Sequence, residues 1–292
     1  MKRLSTVALV LVLTTSLMAI QPAQFKIEMA VDLVHVSFSA TDRKGRLIPG
    51  LNAEDVTIEE DGKPQKVTLF ARERDLPLTL AMLIDISPSV SQVFEEEKNT
   101  ASGFLRSLLG PHDLALVISF DRWVTLVQDF TEDIPSLTSA IESLSLSKGG
   151  TSLYDAVSLA ADEKLSREAG RKAIVLISDG EDTTSQFSPS KAMVAAHKSD
   201  AVIYTISNGG DSGSLRRLAE ETGGGSFRVR REGDFQKVFD QISAELRTQY
   251  SIGYYSTNPA RDGTFRRIKI IPNDSNITVR ARRGYYAARA SN

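Results

Sequence analysis

The chain has 292 residues, 41% of them hydrophobic and 25% charged, and a net charge of −2. That length holds one large or two modest domains with a real core, and the near-balanced charge gives no global case for nucleic-acid binding. With no cysteine in the chain, disulfides, thiolate metal sites, cysteine nucleophiles and a lipid-bearing cysteine are all excluded.

Lys2 and Arg3 precede a run from Leu4 to Ile20 rich in Val, Leu, Ala and Thr. The basic start, apolar stretch and small residues near Ala19 and Ala23 predict a secretory signal over residues 1–23. At about 17 residues the run is short for a membrane span, which needs roughly 20. The expectation is an exported protein, periplasmic or secreted, with no span after cleavage. Export without disulfides suits a bacterial envelope.

Residues 25–75 predict an N-terminal β unit. VDLVHVSFSA (31–40) alternates apolar and polar residues. Val56 to Glu60 and Lys66 to Phe70 flank Asp61-Gly62, a hairpin signal. From Pro77 to residue 247 strand-like runs alternate with helical periodicity. Strands are expected at Leu78–Ile84, Leu114–Phe120, Trp123–Phe130, Ala173–Ile177, Val202–Ile206 and Ser226–Arg230. Helical faces run through Val93/Phe94/Ala101/Phe104/Leu105/Leu108, Ile134/Leu137/Ile141/Leu144, Leu153/Val157/Ala160, Leu215/Leu218/Ala219 and Phe235/Val238/Phe239/Ile242/Leu246. Continuous apolar strands between helices predict an α/β fold: a doubly wound, mostly parallel six-stranded sheet. The short link at Asp121-Arg122 makes one strand antiparallel.

After Gln249 the texture returns to β. YSIGYY (250–255), TFRRIKII (264–271) and ITVRARRGYY (277–286) read as three strands of a C-terminal β unit, residues 248–288. Either flank alone has few strands for independent stability, which leaves joint packing into one small β-sandwich as an open arrangement. From Arg261 to Arg289 eight basic residues stand against Asp262 and Asp274. A solvated strand face or edge protection is the first reading of these, and an anionic binding surface the second. Gly223-Gly224-Gly225 follows a helical pattern and reads as its stop.

Asp85, Ser87 and Ser89 leave the end of the first central strand. Asp179, in ISDGED (177–182), leaves the end of another, and Thr151, in GGTSLYDA (149–156), opens a helix. Parallel sheets place functional loops at the carboxyl ends of their strands, so these five short oxygen side chains converge at one end. Taken singly, Asp and Ser before a helix are ordinary caps, and SDGED is a good turn. Together, Asp-x-Ser-x-Ser, the Thr in GGTS and the Asp in SDGED resemble a von Willebrand factor type A (VWA) domain across about residues 77–247. The whole chain, with its ending YSIGYY…DGTFRRIKI…VRARRGYY, resembles exported bacterial proteins that carry this domain.

The resemblance implies a metal-ion-dependent adhesion site (MIDAS). In it Ser87, Ser89 and Thr151 offer hydroxyls to the ion, and Asp85 and Asp179 act mainly through water. Pro88 is a local departure that stiffens the loop without removing a ligand. All-oxygen ligation suits a hard cation, Mg²⁺ first, with Mn²⁺ and Ca²⁺ as alternatives. Few direct carboxylates leave the ion short of negative charge, so a partner protein's Asp or Glu carboxylate can complete its shell. Asp121, Trp123, Glu181 and Asp182 are expected at the partner-binding rim, where the only Trp is a contact anchor or a packed hairpin residue. His35, His112 and His197 lie far apart, and no nucleophile elbow, phosphate loop or zinc-helix motif appears. The sequence therefore predicts an adhesion or assembly module and not an enzyme. A structural protein whose β flanks carry the contacts is second, and a metal-assisted hydrolase third.

Overall fold

The computed structural model describes residues 33–72, 76–209, 213–231 and 233–289. The expected signal over 1–23 and the start of the N-terminal β unit lie outside the described residues.

Four strands come from the amino-terminal flank: β1 (Leu33–Thr41), β2 (Val56–Glu60), β3 (Lys63–Gln65) and β4 (Val67–Arg72). The central region follows with β5 (Leu78–Asp85), α1 (Phe94–Leu108), β6 (Leu114–Phe120), β7 (Val124–Thr131), α2 (Ile134–Glu142) and α3 (Leu153–Ser158). It continues with β8 (Arg171–Ser178), α4 (Pro189–Ser199), β9 (Val202–Ser207), α5 (Gly213–Thr222), β10 (Ser226–Arg228) and α6 (Asp234–Arg247). The carboxyl-terminal flank supplies β11 (Tyr250–Tyr255), β12 (Phe265–Pro272), β13 (Thr278–Ala281) and β14 (Gly284–Tyr286).

The central sheet has the order β10-β9-β8-β5-β6-β7. Every pairing is parallel except β6 with β7. β5 is buried along its whole length, as a strand covered on both faces must be. Its alternation divides two cores. Leu80, Met82 and Ile84 pack under α1, α2 and α6, while Ala81 and Leu83 pack under α3, α4 and α5. The expected doubly wound architecture is present, with one antiparallel edge. The periodicity reading passed over α4, whose buried side is Ala192, Ala195 and Ala196. Alanine contrasts too weakly with its neighbours to mark a face, although Ser188 caps the helix by accepting from Lys191 N–H at 3.2 Å.

The two flanks form one sandwich. One sheet runs β13-β1-β11-β4 and the other β14-β12-β2-β3, so each mixes strands from both ends of the chain. Val36, Phe38, Ile58, Ile252, Tyr254, Ile268 and Ile270 share its core. Two local expectations are corrected. Asp61-Gly62, with φ of 49° and 76°, turns β2 into β3 and not into the Lys66–Phe70 run. That run, as β4, crosses to the other sheet and pairs with β11. The 277–286 run is likewise two strands, β13 and β14, that serve opposite sheets.

Most arginines of this flank are structural. Arg266 reaches the buried Glu60 at 3.4 Å, and Arg283 pairs with Glu220 and Glu221 of α5 at 3.0 and 3.1 Å. Arg280 pairs with Glu245 of α6, and Arg282 with Asp200. The sandwich thus seats on the ends of α4, α5 and α6. Gly223 stops α5 with a φ of 84°, and a Cβ there would lie 2.6 Å from the backbone of Ala281 and Arg282. The glycine run is a helix stop, as read from sequence, and also the seat of β13.

Candidate metal centre

The carboxyl edge of the central sheet gathers the predicted residues from three loops. Asp85 ends β5 and is wholly buried. Its Oδ1 accepts from Ser87 N–H at 2.9 Å, and its Oδ2 accepts from the Ser178 hydroxyl at 2.6 Å. Burial pushes the Asp85 carboxyl above the usual range, against those hydrogen bonds, and the charge of Asp179 adds to the push. A buried carboxylate raised in this way is stabilised by a nearby cation.

Ser87 is buried and Ser89 exposed, and their hydroxyl oxygens lie 2.9 Å apart. That separation is an ordinary hydroxyl–hydroxyl hydrogen bond, so the two side chains share one side of the loop. Thr151 is buried, and its peptide is clamped: its N–H donates to Thr183 Oγ1 at 2.9 Å, and its carbonyl accepts from Thr183 and Thr184 N–H at 2.9 and 3.1 Å. Asp179 is half-buried, with Oδ1 accepting from Glu181 N–H at 3.0 Å. Among the described residues no group of three or more His, Asp or Glu side chains converges as a metal cage. The donor set here is rich in hydroxyls, and it fits a hard divalent cation.

The rim is laced to the seat by backbone. Ser152 N–H donates to Asp121 O at 2.6 Å, Arg122 N–H to Gly149 O at 3.2 Å, and Ser152 Oγ to Arg122 O at 2.9 Å. The β6–β7 turn is thereby held one residue from Thr151. It carries Asp121, which accepts from Trp123 N–H at 2.8 Å, and Trp123, which is 68% exposed. Glu181 is exposed. Asp182 turns inward instead, and its Oδ1 accepts from Leu153 N–H at 2.9 Å and Ser185 Oγ at 2.5 Å. It caps α3. Ser178 and Thr183, which hold the predicted ligands in place, were not singled out in the sequence, although both lie in or beside the quoted ISDGED motif.

Residues 79–241 match the von Willebrand factor type A domain family. The chain belongs to this family. No curated protein matches it. A von Willebrand factor type A protein from Catenulispora acidiphila is 13% identical with a TM-score of 0.52, covering 82% of this chain and 74% of its own. That share exceeds the VWA domain, so the likeness of fold takes in strands of the sandwich. Proximal thread matrix protein 1 from mussel byssus, solved with a zinc-occupied MIDAS motif, is 18% identical with a TM-score of 0.54. The match covers 65% of this chain and 50% of that one. BatB from Bacteroides thetaiotaomicron is 23% identical with a TM-score of 0.49, over 58% of this chain and 97% of its own. Among the described residues no helix is long and apolar enough to cross a membrane.

Proposed function

We propose that this VWA protein is a divalent-cation-dependent binding module of the bacterial cell envelope or secreted fraction. It captures a partner's Asp or Glu carboxylate through a metal held by Asp85, Ser87, Ser89, Thr151 and Asp179. The observation that carries this reading is the donor set: two neighbouring serine hydroxyls, 2.9 Å apart, beside a completely buried aspartate. A bound divalent ion supplies a positive centre short of direct carboxylates, which an incoming carboxylate completes. The all-oxygen donors suit Mg²⁺, with Mn²⁺ and Ca²⁺ as alternatives. The mussel structure with zinc in its MIDAS adds support for a metal here.

The chain's own residues set the geometry. Ser178 and the Ser87 peptide fix both oxygens of Asp85, and Thr183 fixes the Thr151 backbone. Trp123 offers an exposed apolar anchor beside the seat, the residue type that dominates binding energy at interfaces. Asp121 and Glu181 complete the rim. The working parts are the signal at 1–23, the VWA domain at 77–247, and the β units at 25–75 and 248–288 acting as one sandwich. Placement outside the cytoplasm rests on the signal, and the absence of a nucleophile or acid–base motif favours a binder over an enzyme.

The test is capture from envelope extract by the full chain in Mg²⁺, in chelator, and as Asp85→Ala. A partner held in Mg²⁺ alone supports the reading, and equal capture in all three arms overturns it. One observation favours a second reading, in which the sandwich carries contacts. Leu33, Leu69 and Tyr255 are exposed and cluster around Gly253 on one sheet face. Capture lost on Leu69→Ser and kept on Asp85→Ala would select it.

A further inference from the structure

Glu97 is a carboxyl buried in an apolar helix face. On α1 the residues that enter the core are Phe94, Ala101, Phe104, Leu105 and Leu108. At 100° per residue Glu97 falls in the middle of that stripe. It is fully buried, and neither carboxyl oxygen has a hydrogen-bond partner. It stands one turn from the amino end of α1, the end that lies against the carboxyl edge of the sheet.

A second polar side chain meets the same edge. Val202, Tyr204 and Ile206 of β9 face the α1 side of the sheet, and Asn208 is the next residue in that alternation. Both polar atoms of its amide are buried without a partner. Its neighbour Gly209 packs closely on the metal centre, since a Cβ there would lie 3.0 Å from Cβ of Asp179. Buried polar groups are rarely left unpaired without a use.

We propose that Glu97 and Asn208, both at the carboxyl edge of the sheet, form the inner wall of the cation seat, Glu97 acting on the ion through its water ligands. This rests on the metal reading above. Burial and then the charge of Asp85 hold the Glu97 carboxyl well above the usual carboxylate range. The other charged groups around α1 are engaged elsewhere. Lys98 donates to the Leu144 carbonyl and pairs with Glu95 at 3.0 Å; Glu96 accepts from Gly233 N–H; Glu142 of α2 pairs with Arg106. On α6, Asp234 pairs with Lys237, Asp240 accepts from Gln236, Glu245 pairs with Arg280, and Arg247 donates to the Ser107 carbonyl. A dication at the seat offsets Asp85 and attracts the Glu97 carboxylate, so the ion enters as a proton leaves. Glu97 is a positioning residue: it makes cation binding proton-coupled and strengthens it as pH rises.

The test is calorimetric titration of the full chain with MgCl₂ at pH 6 and pH 8, in buffers of different ionisation enthalpy. The wild type should release close to one proton per ion. Glu97→Gln, which keeps the shape and removes the charge, should release clearly fewer protons per ion and bind about tenfold more weakly at pH 8. Its metal-free form should melt no lower than the wild type, which separates the effect from misfolding. Wild-type binding of Mg²⁺ with the same affinity and proton count in Glu97→Gln overturns this inference alone. Failure of the wild type to bind Mg²⁺ or MnCl₂ overturns the metal reading with it.

Discussion

His197 on α4 gives a stability test that depends on how the sandwich sits on the VWA domain. The ring is 5% exposed and meets Phe265 and Tyr286 of the sandwich edge-on, with centroids 5.0 and 6.2 Å away. Burial, helped by the positive charge of Arg282, lowers its pKa from 6.5 to about 4, against the pull of Asp200. Glu221 is 3.9 Å from Nε2, beyond hydrogen-bond reach, and its carboxylate is taken by Arg283 at 3.1 Å. Between pH 6.5 and 4 the unfolded chain binds a proton that the folded protein refuses. The stabilisation is therefore complete above pH 6.5 and is lost as pH falls through about 4; it amounts to about 3 kcal/mol. Urea unfolding of wild type and His197→Gln at pH 7 and pH 4.5 reads it directly. The wild type should lose roughly 2–3 kcal/mol more than the variant over that interval. Equal losses would mean the ring is solvated and the seating of β12 and β14 on α4 is wrong.

Three further outcomes follow from the same geometry. Ser178→Ala removes a charge-assisted hydrogen bond to Asp85 worth about 1.5–3 kcal/mol, so Mg²⁺ affinity by calorimetry should fall roughly 10- to 100-fold. Gly223→Ala places a Cβ on β13 in left-handed backbone and should lower stability by roughly 2–4 kcal/mol in a thermal melt, with Mg²⁺ affinity unchanged in the folded fraction. Trp123→Ala should weaken partner binding by about 2 kcal/mol, roughly 30-fold, in surface plasmon resonance while leaving Mg²⁺ affinity intact.

What the sequence made legible follows from the strength of each physical signal. β5, β6, β8 and β9 are buried on both faces, so their apolar runs are unbroken and their limits fall close to those expected. Asp85, Ser87, Ser89, Thr151 and Asp179 stand out because three short motifs each border a recognisable element. Strand pairing in the sandwich was illegible, since β4 follows Asp61-Gly62 like a hairpin partner yet bonds to β11, nearly two hundred residues away in the chain. The arginines of the last strands alternate like a solvent face, and only the docked helices reveal their partners. Glu97 sits in EEEK, a string that reads as an exposed acidic turn; the helical phase of Phe94 and Ala101 was the available clue that one of the three faces inward.

The most direct measurement is anomalous diffraction from crystals of the full chain soaked in MnCl₂, which substitutes for magnesium and scatters anomalously. The account predicts one strong peak at bonding distance from Ser87 Oγ, Ser89 Oγ and Thr151 Oγ1, with Asp85 and Asp179 joined to it through water. A peak elsewhere, or none at millimolar Mn²⁺ with the three hydroxyls turned apart, would contradict it.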